Sequence, residues 1–388
     1  MTRSDARLAS LRSRLVARTE QLPDTEDLLE YLGVSGAAWL RGSRGFVTAG
    51  LAAIAHPTDA VATLRAIEHD PLHPVRAVGA LPFAGGGRMV VPARIVERDA
   101  DGRVWRTVVE PAGSHVPRRV AAATKAPRSY TVTQVTDADA WEANVAAVLA
   151  LIDTGAAEKV VLAREIVIDS SAPFDVHAIV STLRDTQPGC FVYADAGFVG
   201  ASPELLVRRT GRAVVARPMA GTGLRAEALV RSEKDAREHQ LVVDAVLDAL
   251  ASVCDGAVAS GPAPVELADL THLATNITAR VRDLETSAVD LALALHPTPA
   301  VAGTPRATAL AAISRLEPTP RDLYAGPCGW VDASGDGEFV VALRGAQIDG
   351  TRARLHAGAG IVAGSHAEAE WAETQTKLEP MLRALVRP

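Results

Sequence analysis

Four carboxylates and two lysines stand out in this chain for their surroundings. In Glu370-Trp371-Ala372-Glu373-Thr374-Gln375-Thr376-Lys377 a helical reading puts Glu370, Glu373 and Lys377 at i, i+3 and i+7, along one face. That row suits a hard cation beside an anionic substrate, or equally an ordinary exposed helix laced with charge pairs. Lys159 begins the apolar run Val160-Val161-Leu162-Ala163. A partly desolvated amine there could act as a general base; the plainer alternative is a strand-end lysine reaching to water. Glu204, in Gly200-Ala201-Ser202-Pro203-Glu204, sits in a turn at the edge of an apolar strand pair. Such surroundings raise a carboxyl's pKa and fit it to donate a proton, although a turn glutamate needs no such role. Glu238 shares a helix face with Asp235 and Val242, at the border of the buried stripe, where it is either solvated or a cation ligand.

Two loops have the shape to hold a small molecule. In Leu295-His296-Pro297-Thr298-Pro299-Ala300-Val301-Ala302-Gly303-Thr304-Pro305 two X-Pro steps stiffen an extended segment, and Ala300 leaves room for a compact ring. In Ala357-Gly358-Ala359-Gly360-Ile361-Val362-Ala363-Gly364-Ser365 the small residues read as a turn after an apolar strand. Backbone amides at Gly358 and Gly360 could approach a ligand there. A connecting loop is the plain reading of each.

The elements that must position these residues follow from periodicity. Residues from about 5 to 32 read as helix, with Leu8, Leu11, Leu15 and Val16 at helical spacing. Strands follow from Ala37 to Ala55, a helix from Asp59 to Glu68, then strands within Val75–Val96 and Gly102–Val109. A basic, Pro-containing linker spans about 111–128. Beyond it Asp137 caps a helix to Ile152, Glu158–Ile168 is a strand, Val176–Thr186 a helix, and Cys190–Val207 a hairpin-like pair. A strand at 212–217 precedes a long helix from Ser232 to Val253, then a strand near Val265, a helix at Leu270–Asn276 and a strand to Val281. Helices from Ala288 and Thr304 lead to strands at Cys328–Val331, Phe339–Gln347 and Arg352–Ala357. Long antiparallel-looking strands with clustered helices indicate a large α+β protein rather than a doubly wound sheet. No strict G-x-G-x-x-G follows a strand and no phosphate-binding P-loop occurs, so nucleotide cofactors are not indicated.

Composition narrows the classes. The chain has 388 residues, 48% hydrophobic and 22% charged, with a net charge of −6. Interspersed charge of that sign argues against nucleic acid and anionic membranes. No apolar run approaches the roughly 18 residues of a membrane span, and the charged N-terminus has no signal-peptide core. Cys190, Cys254 and Cys328 show neither metal-ligand spacing nor a disulfide framework, which makes the cytoplasm the default.

A series of motifs now resembles the chorismate-binding enzymes. It runs through Lys159-Val160-Val161-Leu162-Ala163-Arg164, Ser202-Pro203-Glu204, Ala220-Gly221-Thr222 and Ser232-x-Lys234-Asp235-x-x-Glu238-His239. It continues with His272-Leu273-Ala274-Thr275, the Pro-Thr-Pro-Ala loop, Tyr324-Ala325-Gly326-Pro327-x-Gly329-Trp330, Gly335-Asp336-Gly337-Glu338 and Ala342-Leu343-Arg344. It closes with Ala357–Val362 and Glu370-x-x-Glu373-Thr374-x-x-Lys377. The series covers residues 130–388 in order. The family includes isochorismate synthase, salicylate synthase and the large subunits of anthranilate and aminodeoxychorismate synthase. A lysine at 159 points to water rather than ammonia as nucleophile, and the Pro-Thr-Pro-Ala loop is similar to isochorismate synthases in particular. So are Gly79-Ala80-Leu81-Pro82-Phe83 and Val90-Val91-Pro92.

The resemblance implies one 1–388 chorismate-binding domain, a two-sheet α+β sandwich with peripheral helices. Residues 1–125 would be its β-rich half and 130–388 its catalytic half. It implies a monomeric, cytoplasmic, Mg²⁺-dependent isomerase that turns chorismate into isochorismate for menaquinone or siderophore synthesis. Water would add at C2 and the C4 hydroxyl leave, with Lys159 as base and Glu204 as acid. Glu238, Glu373 and Glu370 would hold the Mg²⁺. Arg344, Lys377 and the amides near Gly358 and Gly360 would grip the enolpyruvyl carboxylate. Gly221 and Thr222 would line the ring carboxylate, Ala300 would give clearance, and His272 would either touch the ring or satisfy a core hydrogen bond. Salicylate synthase, an anthranilate-type synthase and a non-catalytic chorismate-binding protein are the competing readings.

Overall fold

Two burial patterns show how the strands of this chain must stack. Lys159–Ser170 is buried on both faces through Ile168, as a covered strand must be. Thr271–Val281 alternates over its second half, as a strand with one wet face does. The computed structural model describes residues 14–23, 27–111, 127–223, 225–268 and 270–386. Among these, the strands form a twelve-stranded and a ten-stranded sheet, and the two sheets together supply the main apolar core. The expected two-sheet α+β architecture is therefore present.

Strands from the first part of the chain enter both sheets. Ala38–Arg41 pairs with Phe191–Asp195 in the larger, Trp39 opposite Tyr193. Arg76–Ala80 pairs with Pro327–Asp332 in the smaller, Val78 opposite Trp330. A second core lies where the helix Val176–Thr186 and the C-terminal helix Ala367–Val386 meet the larger sheet. Leu183, Leu378, Met381 and Leu385 are buried there with Ile166, Ile168 and Leu355. Each such side chain contributes about 2 kcal/mol by leaving water, so the helix carrying Glu370, Glu373 and Lys377 is firmly seated.

Three expectations are corrected. Leu15–Leu22 is an edge strand paired with Val104–Pro111, not helix; the rest of the expected helix up to residue 13 lies outside the described residues. Leu15 and Val16 fit a helical stripe, but the cross-strand pairs Thr19–Thr107 and Glu20–Arg106 favour the extended form. Leu270–Asn276 is not helix: Thr271–Val281 is one strand, flanked by the strands 213–217, 219–223 and 254–266. Ala357–Val362 is no turn either, because Arg352–Val362 is continuous strand and only the end, near Gly364, turns. The expected linker lies mostly at 112–126, outside the described residues. Cys190, Cys254 and Cys328 are free and buried. No helix among the described residues is long and apolar enough to cross a membrane.

Candidate active site

The site is built on two neighbouring strands. Lys159–Ser170 and Arg352–Val362 pair antiparallel, with Val161 opposite Gly360 and Ala163 opposite Gly358. Opposite residues share a face. The two glycines therefore leave an open floor beside Val161, and Lys159 lies on the same face one step on. Gly360 has a specific reason to lack a side chain. A Cβ there would collide with Glu238 Oε1 and come within 2.9 Å of Lys159 Cε.

Glu204 arrives from another direction. The chain leaves the larger sheet at Phe198–Ser202 and enters the smaller at Leu205–Thr210, and Glu204 sits at that crossing. Ser202 Oγ donates to the Val341 carbonyl at 2.6 Å and accepts from Glu204 N at 3.3 Å, which fixes the turn. The carboxyl is 3% exposed. Burial pushes its pKa up to about 7, against the Met219 amide and the charges of Lys159 and Lys377, which favour the anion. The charge of Lys159 acts on Glu204, although of the two only Glu204 lines the site's cavity.

The third wall comes from two helices. Glu233–Ala251 brings Glu238, whose Oε1 lies 2.8 Å from Lys159 Nζ. That pairing, with Lys377 and Lys234 beyond it, holds the carboxyl below its usual range although burial opposes it. The C-terminal helix brings Lys377, which donates to Glu373 at 2.6 Å and to the Gly358 carbonyl at 2.9 Å. Glu370, buried, accepts from Lys234 at 3.0 Å. Burial, then the Glu373 charge, raise the Glu370 carboxyl.

His272 is resolved by its neighbours. Arg344 Nη2 lies 3.1 Å from His272 Nε2, and a guanidinium only donates. Nε2 must therefore accept, and the ring proton sits on Nδ1, 3.2 Å from Thr222 Oγ1 and 3.3 Å from the Gly221 carbonyl. Burial first, then the Arg344 charge, hold this imidazole neutral with a pKa well below its usual value. Arg344 itself adopts φ 52°, an uncommon backbone state for a residue with a Cβ.

All the expected site residues except Lys159 and Glu370 line one cavity. Lys159, 1% exposed, lies behind Glu238 and Gly360, and Glu370 is turned to Lys234. Sequence reasoning missed Met219, Arg321, Tyr324 and His356 on the same lining. Tyr324 stands inside a quoted motif; no spacing pointed to His356, which stacks on Tyr324 at 5.2 Å. Among the described residues no three carboxylate, imidazole or thiol groups converge closely enough to hold a metal. The donor chemistry nevertheless suits a hard cation. Glu238, Glu373 and Glu370 offer carboxylate oxygens, the donors such an ion takes, and each is paired here with a lysine that a bound cation would displace.

The family model for chorismate binding enzymes matches residues 88–386. The chain belongs to this family. This chorismate-binding enzyme is 40% identical over 332 residues to a putative isochorismate synthase MenF of Mycobacterium tuberculosis, covering 79% of this chain and 86% of that relative. Its structure resembles that of the menaquinone-specific isochorismate synthase MenF from Escherichia coli, with a TM-score of 0.84 at 26% identity over 99% and 98% of the two chains. Anthranilate synthase component I from Streptococcus pneumoniae shares the fold, with a TM-score of 0.69 at 20% identity over 96% and 93%.

Proposed function

We infer that this chorismate-binding enzyme is an isochorismate synthase, converting chorismate to isochorismate by adding water at C2 and releasing the C4 hydroxyl. The observation that supports the reading is a buried acid, Glu204, on the cavity lining, with a buried amine, Lys159, just behind that lining at Glu238 and Gly360. With its pKa pushed up to about 7, Glu204 keeps a substantial protonated population at neutral pH and can give that proton to a leaving hydroxyl. Lys159, once it has given up the proton it shares with Glu238 in the ion pair, takes the proton from the attacking water, and Glu238 holds that amine in place. The exchange of one allylic alcohol for another lies near equilibrium, so the two groups swap roles in the reverse direction.

Arg344 and Lys377 supply the positive charge that a dianionic substrate needs, and the Arg344 fork suits a carboxylate. His272, neutral and bonded at both nitrogens, orients Arg344 and Thr222 and does not itself exchange a proton. Glu238 and Glu373, with Glu370, would hold Mg²⁺, which supplies neutralisation and orientation of the ring carboxylate when bound. Small-molecule chemistry of this kind needs no macromolecular partner, which fits a cytoplasmic monomer.

Incubation with chorismate and Mg²⁺, followed by chromatography, tests the activity. Isochorismate is expected. Salicylate with pyruvate would mark a salicylate synthase, product only with ammonium would mark an anthranilate-type enzyme, and binding without turnover would mark a non-catalytic relative.

A further inference from the structure

Arg321 is 4% exposed, lies on the cavity lining, and is bonded to three parts of the chain at once. Its Nη2 donates to the Val161 carbonyl at 2.8 Å and its Nη1 to the Val301 carbonyl at 2.6 Å. Its Nε donates to Glu317 Oε2 at 2.8 Å, and Glu317 Oε1 accepts from the Ala163 amide at 2.9 Å. The guanidinium also lies 4.6 Å over the Phe83 ring. Its fork therefore ties the strand that begins at Lys159 to the Pro-rich loop that carries Ala300.

The neighbouring backbone bonds show what that tie controls. Glu158 N donates to the Thr304 carbonyl and Val161 N to the Ala302 carbonyl, both at 2.8 Å, and Gly303 lies so close to Lys159 that a Cβ would overlap its carbonyl. The seam between loop and strand thus runs directly over Lys159. Arg321 stands at the inner end of the seam and also borders a separate outer cleft lined by Phe83, Pro297, Leu310 and Ile313. It is a wall shared by the reaction cavity and that cleft.

We propose that Arg321 is a positioning residue: it clamps the Pro297–Thr304 loop to the Lys159 strand, sets the distance between the amine and the substrate ring, and closes the cavity toward the outer cleft. The catalytic consequence rests on the isochorismate synthase reading; the clamp does not. A small misplacement of a catalytic group costs up to about a hundredfold in rate, while uniform substrate binding is little affected.

The test uses Arg321→Lys, which keeps a cation beside Glu317, and the paired Arg321→Met/Glu317→Gln variant, which leaves no unpaired buried charge. Hydrogen exchange and steady-state kinetics are measured on both, with rates referred to the folded fraction. The expected result is faster exchange, by about tenfold or more, at residues 158–163 and 301–304 but not in the strands 327–332 and 337–341. Alongside it kcat falls about tenfold or more while KM for chorismate shifts less than about threefold. Arg321→Lys recovers part of both effects. Unchanged exchange along the seam overturns the clamp, and unchanged kcat with faster exchange overturns the positioning role. If the unaltered protein makes no isochorismate, the functional reading fails, and the exchange data then decide the clamp alone.

Discussion

Lys159 Nζ lies 2.8 Å from Glu238 Oε1, and Gly360 is the residue whose missing side chain allows it. The amine assigned to activate water is thereby fixed by one of the carboxylates assigned to a cation. On the proposed reading, a cation that drew on Glu238 would loosen its hold on Lys159 and so link metal and base through a single carboxylate.

Lys159→Ala should lower kcat by roughly 10²–10⁴-fold, the usual worth of a general base, while chorismate still binds. The variant also strands Glu238 in a nearly buried place and should cost roughly 3 kcal/mol of stability. Kinetics, ligand-induced thermal shifts and urea unfolding read the three effects separately. Equal loss of binding and turnover would contradict the assignment.

Glu204 ties stability to pH with a definite sign. Its folded pKa, about 7, lies above the ordinary 4.5, so the folded state holds the proton more tightly. The stability this contributes is complete below about pH 4.5 and is lost as pH rises through about 7. Glu204→Gln, which has no proton to lose, should therefore be more stable than the parent at pH 8 by up to roughly 3 kcal/mol, and the two should converge near pH 4.5. Urea unfolding at both pH values checks this. The same titration should put a break near pH 7 in kcat/KM that is absent from Glu204→Gln, and a reversible reaction must show it in both directions.

Two glycines beside Lys159 should behave differently on substitution. In Gly360→Ala the new Cβ meets the ends of two side chains, which can swing away, so the protein should fold with kcat reduced about tenfold or more. In Gly303→Ala the Cβ meets the Lys159 backbone, and φ of 139° is unfavourable for alanine, so folding itself should suffer by several kcal/mol, about 2–4. Thermal unfolding and kinetics distinguish the two outcomes.

The parts of this site legible in the sequence were those fixed by chemistry within a short segment. The i, i+3, i+7 row of Glu370, Glu373 and Lys377 lies on a real helix, and Lys159 does begin a buried strand. What could not be read was partnership across the fold. Glu370 faces Lys234, 136 residues away, and Glu238 faces Lys159; helix periodicity gives no sign of either. The mistaken helix at Leu270–Asn276 has the same origin, because its apolar residues satisfy both periods and neighbouring strands decide between them. Gly358 and Gly360 looked like turn residues, yet they are strand residues kept bare to open the cavity floor.

The carboxylates should reveal themselves through their dependence on metal. Chelation should abolish turnover, and added Mg²⁺ should restore it. Glu373→Gln should raise the Mg²⁺ concentration needed for half-maximal rate by about tenfold or more, with Glu370→Gln acting in the same direction but more weakly because it also frees Lys234. Magnesium titration of initial rates separates these effects. Full activity in the presence of chelator would remove the metal from the mechanism.

The most direct measurement is the fate of solvent oxygen. Chorismate turned over in water enriched in heavy oxygen, with the product examined by NMR, should give isochorismate carrying the label in its C2 hydroxyl, because in the proposed mechanism the nucleophile is a water deprotonated by Lys159. Unlabelled isochorismate would mean that the hydroxyl migrates within the substrate, and the paired roles of Lys159 and Glu204 would then be wrong.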